Sequence, residues 1–75
     1  MPKQKLLKLG ARIKSLRTEK KISQYELAVL CGFEKANMSR LESGHSNPTV
    51  LTLYKISEAL NIPVEEFFKE DGKLL

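Results

Sequence analysis

Residues 24–44 read QYELAVLCGFEKANMSRLESG. If Met38 and Leu41 face inward on a helix, then Lys35, Ala36, Asn37, Ser39 and Arg40 fall together on its outer side. Those five side chains offer two cations, an amide that both donates and accepts, a hydroxyl and a methyl. This is equipment for contact and hydrogen bonding rather than for breaking bonds. Paired carboxylates, a Ser-His-Asp set, a phosphate-binding glycine loop and a metal cluster do not appear anywhere in the 75 residues. An enzyme is therefore disfavoured. A single cysteine, Cys31, excludes an internal disulfide, and with one histidine beside it the ligands for structural zinc are lacking. No metal and no cofactor are expected.

Charge is distributed unevenly. Residues 1–40 hold ten Lys/Arg and three acids, a balance of +7, while residues 41–75 hold three Lys/Arg and six acids, a balance of −3. A basic half suits a phosphate-binding face, because neutralising phosphates releases counterions. Charge alone, however, favours a solvated basic helix. The basic start MPKQKLLKLG has no apolar run long enough for a signal peptide or a membrane span. Together with the lone cysteine this points to the cytoplasm.

The elements that must hold the outer face are helices. Valine and isoleucine are sparse, and no segment alternates with a strand's period of two, so the fold class expected is all-α with five helices. A first helix over residues 6–20 carries Leu6, Leu9, Ile13 and Leu16 on one apolar stripe, with Arg12 off it. Ser23 starts a second helix, and Glu26 three positions later completes a capping-box pattern. Leu27, Ala28 and Cys31 form its inner face, and Gly32 ends it. A third helix runs to about Ser43, and Gly44 stops it. After the loop His45-Ser46-Asn47-Pro48, a fourth helix spans residues 49–60 with Val50, Leu53, Ile56 and Leu60 inward and Asn61 as its cap. A short fifth helix covers residues 63–68. The whole reads as one domain over residues 1–75. Its parts are a flexible basic arm at 1–5, a helical body at 6–68 and a frayed tail at 69–75.

Two of these helices must cross steeply. Ala28 is small where the third helix passes over it, Gly32 makes the sharp turn, and Phe33, Met38 and Leu41 fill the wedge. A helix-turn-helix of that kind presents its outer surface to base edges. At this point the sequence resembles the Cro/lambda-repressor type of helix-turn-helix, the XRE family of bacterial and phage regulators. The matching stretches are LGARIKSLRTEKKISQYELA, CGFEKANMSRLESG and NPTVLTLYKISEALNIPVEEFF, three segments in register.

The resemblance implies roles residue by residue. Gln24 would use its side chain and the start of its helix to grip a phosphate. Lys35, Ala36, Asn37, Ser39 and Arg40 would face the bases of double-stranded DNA in the major groove. Lys35 and Arg40 suit guanine O6/N7, Asn37 suits adenine N6/N7, and the Ala36 methyl suits a thymine methyl. Ser43, His45, Ser46 and Asn47 follow the recognition helix, where the family's phosphate contacts cluster. A solvated loop fits His45 equally well. Arg17 and Glu42 match an ion pair that the family uses to fix the tilt of the recognition helix.

Glu34 departs from the family pattern, which prefers Ser or Thr at that place; a carboxylate can still cap the helix there. The short tail leaves an expectation of no effector domain, and Cys31 is expected in the core rather than as a redox switch. One recognition helix reads few base pairs, so a homodimer on an inverted repeat is expected, with half-sites about 34 Å apart. Leu51, Tyr54, Phe67 and Phe68 are the candidate dimer interface. The function implied is a transcriptional regulator, foremost a repressor, with restriction-modification controllers and phage regulators of similar size. The alternative is an antitoxin-type module that binds a protein partner and uses DNA for autoregulation.

Overall fold

The computed structural model describes residues 3–69. Four α-helices follow one another, α1 Lys3–Glu19, α2 Gln24–Cys31, α3 Lys35–Glu42 and α4 Val50–Leu60, before a 3-10 turn at Val64–Phe68. No strand occurs among the described residues, so the class is all-α. The count differs from the expected five helices only at the end. Val64–Phe68 is wound as a 3-10 segment, and Pro63 precedes it as an extended cap at ψ 144°.

α1 begins at Lys3, earlier than the stripe suggested. Lys3, Gln4 and Lys5 are good helix formers and continue the first helix instead of forming an arm. Met1, Pro2 and residues 70–75 of the expected arm and tail lie outside the described residues.

Local chemistry sets the remaining boundaries. Ser23 Oγ accepts from the Glu26 N–H, while Glu26 Oε1 accepts from the Ser23 N–H at 2.8 Å. This reciprocal cap fixes the start of α2. Gly32 closes α2 at φ 73°, which lets the Phe33 N–H reach back to the Ala28 carbonyl at 2.8 Å. Thr49 caps α4, and Asn61 ends it in the left-handed region at φ 58°.

The helices meet around one core. Ile13 and Leu16 come from α1, Leu27, Ala28 and Cys31 from α2, Met38 and Leu41 from α3, and Leu53, Ile56 and Leu60 from α4. Phe67 closes it from the 3-10 turn and is 2% exposed. Burial pushes the Cys31 thiol above its ordinary value, against a smaller opposing pull from Lys55.

Two expectations for the second half fail, one inward and one outward. Val50, the first residue of α4, is 66% exposed and lies outside the core, which the helix enters at Leu53. Phe67, expected at a dimer interface, is a core residue, and only its neighbour Phe68 is exposed.

Gly10 sits in the middle of α1, where glycine ordinarily weakens a helix. A Cβ there would lie 2.4 Å from the Leu41 carbonyl oxygen and 2.6 Å from that of Glu42. The bare glycine lets α1 pass directly against the last turn of α3, which links the core to the position of the outer face.

Candidate nucleic-acid interface

α3 is eight residues long and amphipathic in the strict sense: Met38, Leu41 and Glu42 are buried, while Lys35, Ala36, Asn37, Ser39 and Arg40 are all exposed. Burying positions 38, 41 and 42 turns positions 36 and 40 to the opposite side with 37 and 39 on its flanks, while Lys35, in line with 38 and 42, is exposed as the first residue of the helix. The five side chains singled out from the sequence therefore share one accessible surface. Within it Arg40 Nη2 donates to Asn37 Oδ1, one helical turn away.

The helix is held at both ends. At its C-terminal end, Glu42 Oε2 accepts from Arg17 Nε at 2.6 Å and Oε1 accepts from Arg17 Nη2 at 3.0 Å. Arg17 Nη1 donates to the Ile22 carbonyl at 2.7 Å, so the whole guanidinium is used. Gln24 Nε2 adds a third donor to the carboxylate, 2.9 Å from Glu42 Oε1. Among the described residues no buried side-chain nitrogen or oxygen lacks a partner. An ion pair this covered is tolerable because each of its nitrogens and oxygens has a hydrogen-bond partner. It ties α1, the start of α2 and the end of α3 into one unit.

At the N-terminal end, Glu34 occupies the capping position but its side chain makes no capping hydrogen bond. Its backbone carbonyl instead accepts from the Asn37 and Met38 N–H groups, at 3.0 and 3.2 Å. The carboxylate was expected to be able to cap the helix and does not; it stays exposed beside the first turn.

The residues expected at phosphates differ in availability. Gln24 is half-buried and one amide proton is engaged by Glu42, leaving its second amide proton and the start of α2 for an outside anion. The Ser43 hydroxyl donates back to the Ser39 carbonyl at 2.9 Å and lies 3.0 Å from His45 Nδ1. The His45 N–H is taken by the Arg40 carbonyl at 2.8 Å, so only the His45 ring faces outward. Asn47 is exposed and Ser46 half-buried in the loop before α4.

Two supports escaped the reading from sequence. Arg12 Nε donates to the Glu66 carbonyl at 2.8 Å and its Nη2 to Glu66 Oε1 at 3.1 Å, pinning the 3-10 turn to α1. Fifty-four positions separate the partners, and no local pattern joins them. Gly10 did carry a signal, a glycine interrupting a helical stripe.

Away from α3 in sequence, α4 exposes Val50, Leu51 and Tyr54, and the 3-10 turn exposes Phe68, at 66%, 73%, 48% and 63%. No helix among the described residues is long and apolar enough to cross a membrane. No group of three or more His, Cys, Asp or Glu among them could hold a metal.

Comparison with known proteins agrees with this architecture. The helix-turn-helix family model HTH_3 matches residues 13–67. The uncharacterised HTH-type transcriptional regulator y4dJ of Sinorhizobium fredii is 41% identical over 54 residues, covering 72% of this chain and 70% of y4dJ. Two other curated relatives are matched over only 33% and 47% of their own length. Among solved structures, the restriction-modification controller protein C.AhdI from Aeromonas hydrophila superposes with a TM-score of 0.82 at 36% identity. That match covers 84% of this chain and 96% of C.AhdI. SinR, a master regulator for biofilm formation solved in complex with DNA, superposes with a TM-score of 0.76 at 35% identity, covering 81% and 98%.

Proposed function

The chain belongs to the HTH_3 helix-turn-helix family, and from that premise we propose that it is a cytoplasmic transcriptional repressor that reads an inverted-repeat operator as a homodimer. The observation that carries this reading is the exposed set Lys35, Ala36, Asn37, Ser39 and Arg40 on α3, locked in orientation by the buried Arg17–Glu42 pair. A recognition helix whose tilt is fixed can place its side chains against base edges in the major groove without ordering itself at each encounter. Gln24, the His45 ring, Ser46, Asn47 and the neighbourhood of Ser43 flank that helix and supply phosphate contacts, which set register rather than sequence.

Two copies are needed because one helix reads too few base pairs. Val50, Leu51, Tyr54 and Phe68 form the surface that meets the second copy, since large apolar side chains on an exposed patch mark an interface. Phe67 takes no part. Relatives that include the transcriptional repressor RghR of Bacillus subtilis and an immunity repressor of a Bacillus phage support a role in repression.

Selection of bound duplexes from a random pool at physiological salt tests the reading. Enrichment of an inverted repeat supports it. Recovery of no preferred sequence, with binding that disappears as salt rises, contradicts it and leaves only phosphate contacts.

A further inference from the structure

Resting on the reading of α3 as the base-contacting helix, we propose that Asn37 is a positioning residue for Arg40, and that the two act as one reader of guanine. Residue type alone would give Asn37 to adenine, since an amide can accept from N6 and donate to N7. That bidentate contact needs Oδ1 facing the base. Here Oδ1 accepts from Arg40 Nη2, a charge-assisted bond that is stronger than one between neutral groups. With its oxygen turned to the guanidinium, Asn37 shows its surroundings the two Nδ2 protons.

Arg40 keeps its remaining N–H groups for the groove. The combined surface therefore consists of donors. Guanine is the base that offers two acceptors, N7 and O6, at its major-groove edge. Adenine would set its N6 donor against these donors, and cytosine has only a donor there. The carbonyl of Asn37 has a second lone pair, but an adenine amino group reaching it would have to lie beside the arginine's positive charge.

The bond also settles Arg40 before DNA arrives. A long, exposed side chain with many rotamers loses freedom when it binds, and one tethered in advance loses less. Both residues are exposed, and neither belongs to the core. The pairing can be altered without disturbing the fold, and melting curves of each variant check that.

The experiment is duplex selection with the full chain and with Arg40→Ala, Asn37→Ala and Asn37→Asp, followed by binding to the selected site carrying 7-deazaguanine. The full chain is expected to enrich one guanine per half-site, and Arg40→Ala to lose that preference. Asn37→Ala should weaken preference for the same guanine about 10-fold while leaving every other position unchanged. Asn37→Asp, which keeps an acceptor for Arg40 but gives up the Nδ2 donors, should retain part of the preference that Asn37→Ala loses. Replacing guanine N7 should remove the advantage of the full chain over Asn37→Ala.

Loss of an adenine preference in Asn37→Ala, with the guanine unaffected, would overturn the proposal. So would an equal drop on all sequences in Arg40→Ala, which marks a phosphate contact. If the full chain enriches no sequence, the broader reading of a sequence-specific regulator fails, and this inference fails with it.

Discussion

Arg17 Nε lies 2.6 Å from Glu42 Oε2, and the two side chains are only 8% and 2% exposed. One comes from α1 and the other from the last turn of α3, so the bond sets how α3 leans on the core. Removing one partner strands a buried charge. Glu42→Ala is expected to cost about 3–5 kcal/mol, while Arg17→Met with Glu42→Leu regains most of it. Urea melts of the three chains check this. A Glu42→Ala loss below about 1 kcal/mol, the range of exposed pairs, would mean the pair does not fix α3.

Gly10→Ala supplies a test with an unusual sign. In an ordinary helix interior this change stabilises by about 1 kcal/mol. Here the new methyl would meet the Leu41 and Glu42 carbonyl oxygens at 2.4 and 2.6 Å, and backbone cannot move aside cheaply. A loss of about 1–3 kcal/mol is expected, with weaker DNA binding as the end of α3 is displaced. A higher melting temperature would show that the approach of the two helices is looser than described.

The ends of α2 and the outer face of α3 were legible because each depends on neighbours in sequence. Ser23 with Glu26, and Gly32 with its left-handed turn, announce themselves within four residues. Met38 and Leu41 define an inner side, and the outer side follows from helical spacing. What was misread depends on distance or on a different winding. Val50 fits the stripe of α4, but as the first residue of that helix it lies outside the core that Leu53, three positions on, joins. The adjacent Phe67 and Phe68 cannot both be buried, and which one turns inward is decided by the 3-10 segment and by its anchor to Arg12, 54 positions away.

That anchor predicts a pH response. Glu66 is held below its ordinary value of 4.5, first by its hydrogen bond from Lys69, which outweighs the opposing effect of burial, and then to a lesser extent by the charges of Lys69 and Arg12 and the hydrogen bond from Arg12. A carboxylate whose folded value is depressed contributes stability above its unfolded value and loses it as pH falls through the folded one. Stability should therefore decline below about pH 4.5, and Glu66→Gln should flatten part of that decline. Melting temperatures across pH 2–7 in both chains measure it; identical slopes would remove Glu66 from the account.

The two phenylalanines separate the core from the proposed interface. Phe67→Ala is expected to cost about 3–5 kcal/mol, because a side chain 2% exposed leaves a cavity. Leu51→Glu, at 73% exposure, should leave the melting of the isolated chain nearly unchanged and shift sedimentation from dimer to monomer. A dimer that survives Leu51→Glu would place the contact elsewhere.

The central claim is that the outer face of α3 meets DNA. Its most direct test is chemical-shift mapping of the isotopically labelled chain as duplex DNA is added. The largest changes are expected at Lys35, Ala36, Asn37, Ser39 and Arg40, with smaller ones at Gln24 and residues 43–47, while Leu51, Tyr54 and Phe68 stay near their free positions. Changes centred on α4 and the 3-10 turn, with α3 unmoved, would contradict the account.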